Sequence, residues 1–90
     1  MAENKSAAKR AAQARRRALR NQAIRSRTKT AIRRFREALQ QGDEGLIAEK
    51  LRQAVRIIDK AVTKGVLHKN AAARRKSRLY KLFNARMAQQ

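Results

Sequence analysis

Large apolar side chains are missing from the first eighteen positions of this chain, apart from Met1, and then recur from Leu19 to Met87. In the first part of that stretch Ile24, Ala31/Ile32, Phe35 and Ala38/Leu39 follow one another at steps of three, four and seven, the spacing of one helical face. The pattern stops at QQGDEG, Gln40 to Gly45, a loop signal. It resumes as a wider stripe, Leu46/Ile47, Leu51, Ala54/Val55, Ile57/Ile58 and Ala61/Val62, which predicts the most buried helix of the chain. Asp43 is a good N-cap for that helix, and Glu44 suits its first turn. Lys60 and Lys64 suit its last turn, and Gly65 suits the left-handed position beyond it. A third helix starts between His68 and Asn70 and ends near Met87, with Ala72, Lys76, Leu79, Phe83 and Met87 on one row and Leu82 beside it.

Upstream of Leu19 the residues remain good helix formers, so the first helix extends back to a start near Asn4 or Ser6, either of which can cap. It is then about 54 Å long, against about 30 Å for each of the others, at 1.5 Å per residue. Short connections imply antiparallel neighbours. The predicted fold is therefore all-α, an antiparallel three-helix bundle with a long, projecting basic N-terminal helix. Residues 1–90 form a single domain, with an overhang over about 1–18 and a bundle over about 19–87.

Composition bears on what such a fold can do. Apolar residues make up 42% of the 90, but 18 of them are Ala. The nineteen larger ones beyond Met1 support one thin core and no deep enzyme pocket. The chain has no Cys, hence no disulfide and no thiolate metal site, and no Pro. Its six acids are scattered and its one histidine, His68, lies in a basic segment. No catalytic group or metal cluster can be assembled from these, and nothing calls for a cofactor or a small-molecule substrate.

Charge changes the picture most. The formal net charge is +19. Residues 1–36 carry thirteen Lys/Arg against Glu3 alone, residues 37–63 are near neutral, and residues 64–90 carry eight Lys/Arg and no acid. Such density disfavours a compact chain on its own and requires a polyanion, nucleic acid before an anionic membrane surface. No apolar run reaches the roughly 20 residues of a membrane span. A membrane-active helix needs a large apolar face, and the N-terminal segment offers only Ala. That segment shares its Arg- and Ala-rich, acid-poor character with organelle transit peptides, but it runs without a break into a patterned helix.

Along the overhang, Lys5, Lys9, Arg10, Arg15, Arg16, Arg17 and Arg20, followed by Arg25 and Arg27, place positive charge on nearly every side of the helix. A helix charged all round suits a crevice walled by phosphates, as compact RNA provides, and each Arg can clamp a phosphate with paired hydrogen bonds. The rival reading is a basic helical DNA-compacting protein. A second basic segment, KGVLHKNAAARRKSRL from Lys64 to Leu79, gathers His68, Lys69 and Asn70 at a helix start that already favours anions, with Arg74, Arg75, Lys76 and Arg78 on the following turns. His68 fits two roles equally, helix cap or hydrogen-bond partner of phosphate or ribose. Phe35 and Phe83 lie on apolar rows and read as core. Tyr80 is a surface ring or a bundle-rim residue. Recognition is thus expected through shape and backbone, not base stacking.

The second segment and the N-terminal NKSAAKR, Asn4 to Arg10, resemble the bacterial small-subunit ribosomal protein S20 family. Its signature, K-G-[hydrophobic]₂-H-K-N followed by A-A-R-x-K-S, is occupied here by Lys64, Gly65, Val66, Leu67, His68, Lys69 and Asn70, then Ala72, Ala73, Arg74, Lys76 and Ser77. The resemblance spans essentially the whole chain, although the middle helix is only generically similar. Ala8 stands where the family often has a second Lys, so one RNA contact is absent there or supplied by Lys9 or Arg10. The resemblance implies a non-enzymatic, cytoplasmic component of the small ribosomal subunit. Its implied partners are neighbouring proteins and the RNA of that subunit, chiefly the 5′ domain, with a contact to the long helix near the decoding region. It also implies a primary binder that helps this RNA fold.

Overall fold

A computed structural model describes residues 2–89, with side chains from Lys5 onward. Three helices account for nearly all of it: α1, Ala2–Gln41; α2, Glu44–Thr63; and α3, Lys69–Ala88. At 1.5 Å per residue α1 is about 60 Å long and the other two about 30 Å each. The longest extent of the molecule is 69 Å. The all-α three-helix bundle with a long first helix is the fold the sequence predicts. Its connections are tighter than predicted. The loop expected over Gln40–Gly45 shrinks to Gly42 and Asp43, and Gly45 already lies in the first turn of α2. Helix α1 also begins ahead of both proposed caps: Asn4 and Ser6 lie within it.

Both connections are built from helix-ending chemistry. Gly42 takes φ +79 and its N–H donates to the Ala38 carbonyl (3.1 Å), the single bond of an αL ending. Asp43 then caps α2 through a 3.2 Å bond from the Leu46 N–H to its carboxylate. At the other end of α2, Gly65 takes φ +73. Its N–H donates to Val62 (2.9 Å) and the Val66 N–H to Ala61 (3.0 Å), the two bonds of a Schellman ending. Both glycines occupy backbone conformations that cost other residues strain.

Helix α2 lies between α1 and α3, which touch each other only briefly. The core runs along it: Ile47, Leu51, Ala54 and Ile58 from α2, Ala31, Phe35 and Ala38 from α1, and Ala72 and Leu79 from α3. Phe83 and Met87 are half-buried against this cluster. Tyr80 is exposed at 45%, on the rim of a groove against α2. One polar residue joins the buried stripe of α1: Thr28, whose hydroxyl donates to the Ile24 carbonyl at 3.0 Å and so enters the apolar interior satisfied.

Leu19 is a correction to the sequence reading. Counted among the core-forming side chains, it is 67% exposed. It precedes the exposed Glu37 by eighteen residues, about five helical turns, and so shares Glu37's solvent-facing side of α1. Burial on α1 starts in earnest at Ile24.

Ile58→Ala or Leu51→Ala is expected to cost about 2–5 kcal/mol, because each opens a cavity in a core only one side chain deep. Leu19→Ala should stay within about 0.5 kcal/mol of the parent. Urea unfolding of the three variants checks both expectations.

Candidate nucleic-acid interface

Lys5 to Arg20 form a stretch of α1 that no other element covers. Every residue there is exposed except the half-buried Ala12. Lys5, Lys9, Arg10, Arg15, Arg16, Arg17 and Arg20 form no ion pair among the described residues. Helical register explains why no element packs on this stretch. Arg10, Arg17 and Arg20 each precede a buried residue, Thr28, Phe35 and Ala38 respectively, by eighteen positions. Eighteen residues are about five turns. The face that α1 buries against α2 is thus continued into the overhang by arginines. Packing that face on protein would desolvate three guanidinium groups, so this part of α1 cannot extend the core.

Helix α2 returns antiparallel to α1, and this fixes where the second basic segment lands. The α2–α3 turn and the start of α3 come back to the place where the overhang leaves the bundle. There Arg25, Thr28 and Lys29 of α1 surround a recess together with Ala61, Val66, Leu67 and Arg75. At the opposite end the α1–α2 turn carries Asp43 and Glu44. Arg86 of α3 reaches that turn, its guanidinium 2.7 Å from where a Cβ on Gly42 would stand. The bundle therefore has one basic end, from which the overhang projects, and one end that carries acids.

At the basic end His68 caps α3: its Nδ1 accepts from the Asn70 N–H at 3.1 Å, and its carbonyl receives the first helical bond, from Ala72, at 3.0 Å. With Nδ1 accepting, the neutral ring carries its proton on Nε2, a donor. Capping and anion contact are therefore compatible, since they use different nitrogens. Lys69, Asn70, Arg74 and Arg78 are exposed, the last three on one row at steps of four. Arg75 is half-buried at the recess. Lys76 is engaged within the protein: its Nζ donates to Asp59 Oδ1 of α2 at 2.8 Å. That pair is part-exposed and adds little stability.

The structure brings Arg25 of the first basic segment together with Arg75 of the second. It does not gather the rest into one spot: Lys5 lies about 30 Å along α1 from Arg25. The cations form a trail from the overhang tip to the bundle's basic end. The sequence reading missed its continuation along α1. Lys29, Arg33 and Arg36 with Ile32 line a shallow recess on the outer side of the bundle, and Arg33 is partly tied to Glu37 at 3.7 Å. Their spacing opposite Ile24, Ala31 and Phe35 was the available signal. Among the described residues no group of three His, Cys, Asp or Glu could hold a metal ion, and no helix is long and apolar enough to cross a membrane.

Fold and surface define a small, strongly basic helical protein with a bundle at one end and an uncovered cationic helix at the other. The chain belongs to the ribosomal protein S20 family, which it matches over residues 2–84. It is 62% identical over 80 residues to small ribosomal subunit protein bS20 of Moorella thermoacetica, covering 89% of this chain and 76% of that one. It is 59% identical over 85 residues to the protein of the same name from Caldanaerobacter subterraneus subsp. tengcongensis, covering 94% and 81%. With the Pelotomaculum thermopropionicum protein it shares 59% identity over 80 residues, covering 89% and 91%. This is a family of ribosomal structural proteins, not of enzymes.

Substitution separates the two roles of His68. His68→Ala should lower stability by about 0.5–2 kcal/mol through loss of the cap. His68→Asp keeps a capping oxygen and should restore most of that stability, while carrying no side-chain donor. If thermal unfolding shows His68→Ala as stable as the parent, the cap contributes nothing.

Proposed function

We propose that this chain is a structural component of the small ribosomal subunit, located in the cytoplasm within the ribosome. In this reading it binds small-subunit ribosomal RNA directly through phosphate contacts and assists the folding and assembly of that RNA. The observation that carries the proposal is the register of the overhang. Arg10, Arg17 and Arg20 occupy the face that α1 buries elsewhere, so only an anionic surface can cover it favourably. RNA helices packed around α1 supply phosphates on several sides, and Arg meets phosphate with paired, charge-assisted bonds. The names of the relatives, all small ribosomal subunit proteins, support the same assignment.

Within this reading residues 1–18 are an arm that RNA stabilises and the bundle from about residue 19 is the docking body. Lys5, Lys9, Arg10, Arg15, Arg16, Arg17, Arg20, Arg25 and Arg27 lie between RNA helices and neutralise the repulsion between them. His68, Lys69, Asn70, Arg74, Arg75 and Arg78 hold the basic end of the bundle on the same RNA. Lys76 joins them by exchanging Asp59 for a phosphate. The 5′ domain is the main partner, with the long helix near the decoding region and neighbouring proteins as further contacts.

Replacing Arg15, Arg16 and Arg17 together by Ala should weaken RNA binding strongly while leaving the unfolding midpoint of the free protein nearly unchanged, since none of the three touches the core. With six to ten phosphates engaged, affinity should fall by about 10³–10⁵ between 50 and 200 mM salt. Filter binding across that range, combined with chemical footprinting of small-subunit RNA, tests the proposal. A flat salt response contradicts it. Displacement of the RNA by an equal concentration of duplex DNA favours the DNA-compacting alternative.

A further inference from the structure

The recess at the junction of overhang and bundle has a composition that phosphate binding alone does not explain. Its volume is about 230 Å³, below the roughly 300–1,000 Å³ of sites for drug-sized ligands and suited to a single ring system. Its floor is apolar and held in shape. Ala61 and Thr28 are buried, and Val66 and Leu67 are half-buried. Both of the latter donate backbone hydrogen bonds to the Ala61 carbonyl, at 3.0 and 3.2 Å, within the Schellman ending of α2. The rim carries Arg25 and Lys29 from α1 and Arg75 from α3, with no acid among the lining residues. None of these three forms an ion pair among the described residues. Three cations therefore converge from two helices on an uncharged hollow, an arrangement that self-repels until an anion enters.

We infer that this recess receives one unstacked nucleotide of the bound RNA, its base on the apolar floor and its phosphates on the cationic rim. The inference rests on the RNA-binding reading and adds to it a point of base recognition. The rings that usually stack on splayed bases are unavailable here: Phe35 is fully buried, and Tyr80 lines a different groove. Arg guanidinium planes stack on bases as aromatic rings do, and Arg25 and Arg75 supply two. Thr28 biases the choice of base. Its hydroxyl proton is committed to the Ile24 carbonyl, so the oxygen has only acceptor capacity left. That suits a base edge that presents a donor, such as the exocyclic amino group of adenine or cytosine, and disfavours an edge that presents only carbonyls.

The test is dimethyl sulfate probing of small-subunit RNA bound to the full chain, comparing the parent with Val66→Phe, which fills the recess without removing a charge. The parent should protect a single unpaired adenine or cytosine that becomes reactive again with Val66→Phe. RNA affinity should fall about tenfold, in the range of one stacked base, with the slope of log K against log salt unchanged. Arg25→Ala with Arg75→Ala should instead reduce that slope. A folded Val66→Phe with parental affinity and an identical footprint overturns the inference while leaving RNA binding intact. A parent that binds the RNA but protects no adenine or cytosine overturns the inference, whereas a parent that does not bind small-subunit RNA at all sinks the RNA-binding reading itself. Should Val66→Phe not fold, methyl spectra of the full parent chain decide. Adenosine monophosphate should shift the methyls of Thr28, Ala61, Val66 and Leu67, and inorganic phosphate should leave them in place. Equal effects of the two probes, confined to arginine signals, reduce the recess to an anion patch and overturn the inference.

Discussion

Helix α1 has one continuous face and two opposite fates for it. From Ile24 to Ala38 that face is buried against α2. Five turns upstream the same angular positions hold Arg10, Arg17 and Arg20. A helix cannot rotate one half of its length relative to the other without breaking its hydrogen-bond ladder, so the two requirements are locked together. Docking the lower half on α2 aims those guanidinium groups along the line of the core, past the point where the core ends. The bundle is thereby a mount that fixes the orientation of a cationic rod. The rod buries no large apolar side chain, so it lacks the tertiary packing that supplies most helical stability in proteins, and like charges repel along it. A partner of opposite sign would replace that repulsion with attraction.

The rest of the architecture serves that mount. Two glycine-based helix endings and two N-caps close the connections in few residues, so α2 must return antiparallel along α1 and α3 along α2. This brings the start of α3, with His68, Lys69, Asn70 and Arg74, back to the root of the overhang and leaves Asp43 and Glu44 at the far end. Ion pairs contribute little, since the two among the described residues are both part-exposed. The core that holds the helices together is thin, and Phe35, Ile47, Ile58 and Leu79 are its largest fully buried side chains.

The helices, their order, the Asp43 cap and the role of Gly65 were all legible in the sequence. Period-3.6 apolar patterning and capping chemistry are local signals, and here they agree with the tertiary fold. The capping role of His68 was visible only as one of two options, because the tautomer that reconciles them depends on a specific bond to the Asn70 N–H. Leu19 was misread because hydrophobicity alone says nothing about which side of a helix a residue occupies. Lys76 reads as a free cation in sequence, yet it meets Asp59 across the α2–α3 contact, a pairing that only the packing of two helices creates. The recess was not legible at all: its walls come from three segments, around residues 25–29, 61–67 and 75, and their meeting depends on the length of α2.

Backbone amide hydrogen exchange of residues 5–20, measured on the free protein and again on its complex with small-subunit RNA, addresses the dependence of the rod on its partner most directly. Exchange close to that of an unstructured chain in the free protein, slowing markedly in the complex while amides around Ile47 to Ile58 are protected in both, is the predicted result. Slow exchange throughout residues 5–20 in the free protein would show that the helix stands without a polyanion and would contradict this account.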